Sequence, residues 1–131
     1  MTTKKVAAGI ISHGGKFLIA QRRHGKTCEY LWEFPGGKLE AGETMKQCLK
    51  RELMEELHLS ITVGDYFMTS TYAYDFGTIE LHAFFATCKE NDLSFHPDHE
   101  QARWVSLQEM DNYAFPPADK PILEALKKTK I

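Results

Sequence analysis

Met45, Leu49, Leu53 and Leu57 recur at four-residue spacing, the apolar stripe of an amphipathic helix packed on a sheet. Thr44, with Gln47 three residues on, forms a capping box at its start, and Gly42 with the Gly36 and Gly37 pair keeps the helix from extending backward. Other apolar runs are short and predict strands near Val6 to Ser12, Phe17 to Gln21, Ile61 to Tyr72, Thr78 to Cys88 and Ala102 to Val105. An irregular loop leads to Phe34. A short helical turn is expected at Leu107 to Met110 and a C-terminal helix near Lys120 to Lys128. Strands and helices mixed in this order predict an α/β layered domain, and without repeats, linkers or low-complexity stretches residues 1–131 are expected to form one domain.

Composition narrows the class. With 43% hydrophobic and 26% charged residues over 131 positions, the chain is ordinary for a globular domain, and no apolar run approaches the length of a membrane span. The opening MTTKKVAAGIIS, followed by HGGK, reads as a first strand and turn and not as a signal peptide, so a cytoplasmic protein is expected. Cys28, Cys48 and Cys88 are odd in number and lack CxxC spacing, which argues against a disulfide framework and a zinc ribbon. A net charge of −2 gives no general attraction to polyanions, so neither a nucleic acid polymer nor a membrane is an expected partner.

The charges are patterned on the helix. Glu52, Glu55 and Glu56 fall within an arc of roughly 100° that also carries Met45, Cys48 and Leu49, drawing carboxylates toward apolar surroundings where unpaired charge is costly. A bound divalent cation resolves the conflict, and oxygen ligands select Mg²⁺ or Mn²⁺ over zinc. The plainer reading is a solvated helix face with pairs such as Arg51 to Glu55. Arg22, Arg23, His24 and Lys26 follow the second strand and suit either a phosphate clamp or a solvated loop. His96 and His99 share a later loop with no third zinc ligand nearby. Asp119, just before Lys120 and Pro121, has the place of a helix N-cap.

From Gly37 to Leu59 the chain resembles the Nudix hydrolases, whose signature runs G, five residues, E, seven residues, R-E-U-x-E-E-x-G-U, with U a bulky aliphatic. Gly37, Glu43, Arg51, Glu52, Leu53, Glu55, Glu56 and Leu59 match. His58 stands where the family prefers glycine, at a helix terminus that often needs a positive φ. The segments VAAGII, WEFPGGK and FPPADKPILEALK look like the MutT-type branch.

The resemblance implies the Nudix fold, a mixed β-sheet sandwiched between α-helices. It implies a Mg²⁺-dependent enzyme (or Mn²⁺-dependent) that cleaves a (deoxy)nucleoside triphosphate to the monophosphate and pyrophosphate. By the same resemblance the Gly36 carbonyl, Glu52, Glu55 and Glu56 hold metal, and Glu100 from a later loop ligates metal or acts as base. Glu43 bonds the loop or outer shell, and Arg51 orients a signature glutamate. Arg22, with Arg23 in reserve, contacts substrate phosphate, and Glu33, Phe34 and Phe115 neighbour the nucleoside. Asp119 reads the base. Members that remove 8-oxo-dGTP carry asparagine there, while an ionised Asp119 lacks a donor for O6 and suits the amine of cytosine. Kept protonated by burial, it could read 8-oxoguanine as well. Oxidised purine and cytosine substrates both remain, and so do a sugar-nucleotide or dinucleoside polyphosphate hydrolase and a noncatalytic nucleotide-binding module. The retained glutamates and the C-terminal segment argue against these last readings.

Overall fold

The computed structural model describes residues 2–89, 93 and 99–129. Among the described residues seven strands form one sheet: β1 (Thr3–His13), β2 (Lys16–Arg22), β3 (Trp32–Glu33), β4 (Gly36–Lys38), β5 (Ile61–Tyr74), β6 (Gly77–Cys88) and β7 (His99–Val105). The path β3-β2-β1-β6-β5 mixes directions, because β1 and β6 run parallel whereas β2, β4 and β5 join their neighbours antiparallel. β6 occupies one edge of β1 from Thr3 to Ser12. The other edge is shared: β2 bonds its end at Ser12 and His13, and β4 bonds Val6, Ala7 and Ala8.

Alternation along β1 explains the two layers. Ala7 and Ile11 face a core with Leu49, Leu53 and Leu57 of α1 (Met45–Leu57), while Ala8 and Ile10 face a core with Ile122, Leu123 and Leu126 of α2 (Lys120–Lys128). The mixed sheet is thus sandwiched between helices. Fully burying each of those leucines or isoleucines contributes about 1.5–3 kcal/mol by transfer, so helix placement is set by the apolar stripes.

The predicted caps of α1 form. Thr44 Oγ1 accepts from Gln47 N, and Gln47 Oε1 accepts from Thr44 N. At the other end His58 takes the left-handed conformation (φ 56°, ψ 34°) and its N–H donates to Met54 O at 3.1 Å, the αL cap that the signature's glycine position calls for. The short strands β3 and β4 lie where the pattern gives loop, because two or three residues carry too little periodicity to read. β7 begins at His99, three residues ahead of the expected start, and the helical turn spans Gln108–Asn112 as a 3₁₀ helix. Cys48 and Cys88 are buried thiols.

Candidate active site

Two glycines bring α1 against the sheet. A Cβ on Gly36 would collide with the Ala7 carbonyl of β1, so only glycine lets the loop approach that strand this closely, and a Cβ on Gly37 would force the Glu52 side chain of α1 to shift. Cys48 Sγ reinforces the seam by donating to the Gly37 and Lys38 carbonyls. Burial, then the nearby Glu43 carboxylate, pushes this thiol up to about 12.

Arg51 organises the carboxylates. Its guanidinium donates twice to Glu43 (Nε to Oε2, 3.0 Å; Nη2 to Oε1, 2.7 Å), and from Nη1 to Glu52 (2.9 Å) and Glu55 (3.2 Å). Glu43 also accepts from Glu40 N at 2.8 Å. The Arg51 bonds, then the Glu40 amide, hold Glu43 down at about 2. Glu52 behaves oppositely. Burial raises its carboxyl above the ordinary range although Arg51 opposes the shift.

Glu52 and Glu56 line a cavity of about 510 Å³ together with Gly36 and Gly37. Glu55 does not; 40° separates Glu52 from Glu56 around the helix by geometry of roughly 100° per residue, while Glu55 falls on the other side, half exposed beside Arg51. Among the described residues no three His, Cys, Asp or Glu side chains already converge on one point. The wall nevertheless suits a hard divalent cation: its donors are carboxylate and carbonyl oxygens, and a cation relieves the penalty that burial places on the charged Glu52.

The same cavity continues into a chamber lined by Phe34, Tyr74, Phe76, Leu81 and Asp119. Asp119 requires a correction. Its backbone is right-handed helical (φ −81°, ψ −26°), its side chain makes no cap bond, and the buried carboxyl instead accepts from Phe34 N at 3.1 Å. A capping side chain needs an extended backbone to swing its oxygen onto the first turn, and Asp119, although it sits at the N-cap position, has the helical backbone instead. Burial, then the Glu33 charge, raises its pKa well above the ordinary aspartate range, against the opposing Phe34 amide and Arg22. Glu33 is pushed the other way. Burial acts to raise it, but His99 Nε2 at 2.9 Å and Arg22 Nη1 at 2.8 Å together hold it below the usual carboxylate range.

Arg22 lines the cavity, yet its guanidinium is not a free clamp: besides Glu33 it donates to the Thr27 carbonyl and hydroxyl. Arg23 turns away, donating to His99 O at 3.3 Å. His99 is buried and spent on Glu33, while His96 lies outside the described residues. Glu100 accepts weakly from His24 N at 3.5 Å and does not line the cavity. Phe115 is buried behind Phe34, ring centroids 5.5 Å apart, and does not reach it either. The structure therefore brings together Arg22, Glu33, Phe34, Gly36, Glu52, Glu56 and Asp119. It adds Tyr74 and Phe76, which sequence reasoning missed; their signal was the alternate aromatics Tyr72, Tyr74 and Phe76 leading into a glycine turn.

Comparison with known proteins agrees with this geometry. A family model described as NUDIX domain matches residues 6–125. The CTP pyrophosphohydrolase of Escherichia coli strain K12 is 40% identical over 121 residues, 92% of this chain and 89% of that one. The 8-oxo-dGTP diphosphatase of Haemophilus influenzae is 33% identical over 124 residues, covering 93% and 90%. Among solved structures, the solution structure of the E. coli ORF135 protein superposes with a TM-score of 0.83 at 39% identity, covering 98% of this chain and 91% of that one. The crystal structure of the MutT protein from Methanosarcina mazei shares the fold with a TM-score of 0.87 at 21% identity, covering 96% and 94%. A mixed sheet between helices, with a glycine loop and a glutamate-bearing helix at one end of a cavity, is the framework of a hydrolase that acts on phosphoric anhydrides. The chain belongs to the Nudix family and is a hydrolase of the MutT type.

Proposed function

We propose that the chain is a Mg²⁺-dependent pyrophosphohydrolase of nucleoside triphosphates, with CTP as the substrate class, acting as one domain on the cytoplasmic nucleotide pool. One observation carries the reading. A single cavity joins the carboxylate wall of Glu52 and Glu56 to the chamber that ends at Asp119, which suits a ligand with a polyphosphate at one end and a base at the other.

Glu52, Glu56 and the Gly36 carbonyl would hold the metal, with Glu55 released from Arg51 to join them. Bound Mg²⁺ supplies charge neutralisation on nonbridging phosphate oxygens. The protein's own contribution is positioning. Arg51 holds Glu52 from behind, Glu43 anchors Arg51, and Arg22, fixed by Glu33, adds positive charge between the two ends of the cavity. Water then attacks the β-phosphorus in this reading and the nucleoside monophosphate leaves. Glu100 remains a candidate base that would have to turn from His24 to take part.

Cytosine offers an amine donor beside the N3 acceptor, and a neutral Asp119 carboxyl can accept from one and donate to the other. The relative named CTP pyrophosphohydrolase supports this base. The neutral carboxyl also favours a second reading, 8-oxo-dGTP, because it supplies the donor for O6 that an ionised one lacks. Pyrophosphate release from CTP, dCTP, 5-methyl-dCTP, 8-oxo-dGTP and dGTP under Mg²⁺ tests both. The expected result is the highest kcat/KM for a cytosine nucleotide. Release from none of the five, with turnover of a sugar nucleotide or a dinucleoside polyphosphate, would overturn the reading.

A further inference from the structure

We propose that Phe76, at the turn between β5 and β6, is the stacking platform for the base of the nucleotide; this rests on the function proposed above and adds a recognition residue to it. Phe76 lines the cavity with 46% of its surface exposed, so the ring remains accessible to a ligand there. The ring is not loose. It stacks on Tyr74 with centroids 4.9 Å apart and planes 13° from parallel, and Tyr74 packs in turn against Tyr72 at 4.7 Å.

Tyr74 ties the ladder to the base-reading end of the site. Its hydroxyl accepts from Ala118 N at 2.9 Å, one residue before Asp119, so the aromatic wall and the Asp119 carboxyl are held in one frame. A flat ring and a polar carboxyl lining one cavity divide recognition between them. Stacking favours any base, since every base has a π-face, while edge hydrogen bonds at Asp119 choose among bases. Phe76 thereby sets affinity for nucleotides over base-free polyphosphates and Asp119 sets which nucleotide.

The test is binding of CMP and of pyrophosphate to the parent and to Phe76→Leu and Phe76→Tyr, followed by NMR, with folding of each variant checked by thermal melting. The parent should shift the CMP H5 and H6 resonances upfield through the ring current. Phe76→Leu, which keeps apolar bulk without a π-face, should lose that shift and raise the CMP Kd about tenfold. Phe76→Tyr should hold both within about twofold, and the pyrophosphate Kd should stay within about twofold in every protein. Parent-like CMP binding by Phe76→Leu, or loss of CMP and pyrophosphate affinity in step, would overturn the stacking role alone. A parent that binds no CMP, GMP or 8-oxo-dGMP would overturn the function reading together with it.

Discussion

The Asp119 carboxyl accepts the backbone N–H of Phe34 at 3.1 Å, joining the start of α2 to the β3–β4 junction across 85 positions of sequence. The bond takes the carboxyl away from its own helix, and Asp119 lines the cavity. There it meets Glu33, whose charge is secured by His99 and Arg22. Two neighbouring carboxyls are pushed apart, Glu33 toward the ionised form and Asp119 toward the neutral one.

Asp119→Asn and Asp119→Ala separate the two jobs of this side chain. The asparagine carbonyl can still accept from Phe34 N, so stability at pH 7 should stay within about 1 kcal/mol of the parent, whereas alanine strands a buried N–H and should cost about 1–3 kcal/mol in chemical denaturation. Selectivity should move with the lost acceptor: an amide nitrogen donates to O6 but cannot accept from the cytosine amine, so asparagine shifts the kcat/KM ratio from CTP toward 8-oxo-dGTP. A ratio within about twofold of the parent, below roughly 0.5 kcal/mol, would remove Asp119 from base contact.

The raised pKa of Asp119 fixes the sign of a pH effect. Folded Asp119 holds its proton more tightly than the unfolded chain does, so its stabilising contribution is complete below the ordinary range of about 3.9 and is lost as pH rises through the raised value. Recognition should follow the same titration. The kcat/KM of both CTP and 8-oxo-dGTP should fall as pH rises and the carboxyl loses the proton it donates to N3 or O6, and Asp119→Asn should flatten that profile. Parallel profiles for parent and variant would contradict a neutral Asp119 in the working enzyme.

Sequence legibility tracked local chemistry. The α1 stripe, the capping box and the strained terminus at His58 depend on a few residues close in sequence, and each formed as read. Asp119 holds the N-cap position that the pattern gave, but its side chain does not cap, because its partner, Phe34, is distant in the chain and no local pattern reports it. Nor does a local pattern show that Glu33 and Thr27 take the Arg22 guanidinium. Helical spacing grouped Glu52, Glu55 and Glu56, but could not show that Arg51 would draw Glu55 outward.

Arg51→Lys should keep the charge yet lose the fork that holds Glu43, Glu52 and Glu55 together. We expect kcat to fall about 10–100-fold under saturating Mg²⁺, the range for a residue that orients metal ligands from behind. Steady-state kinetics against Mg²⁺ concentration would show it, and a parent-like kcat would mean that Arg51 serves stability alone.

Glu52→Gln and Glu56→Gln each remove one carboxylate charge from the cavity wall. Both should lose most of kcat while melting at or above the parent temperature in the absence of metal, since a buried charge is removed along with the ligand. Full activity in either variant, or of the parent in excess EDTA, would contradict the metal assignment.

The central claim is that one cavity positions a nucleoside triphosphate for hydrolysis between the nucleoside monophosphate and pyrophosphate. Hydrolysis of CTP in H₂¹⁸O under Mg²⁺, followed by mass analysis of both products, tests it most directly. The account predicts CMP without label and pyrophosphate carrying one ¹⁸O; label in CMP, or CDP and orthophosphate as products, would contradict it.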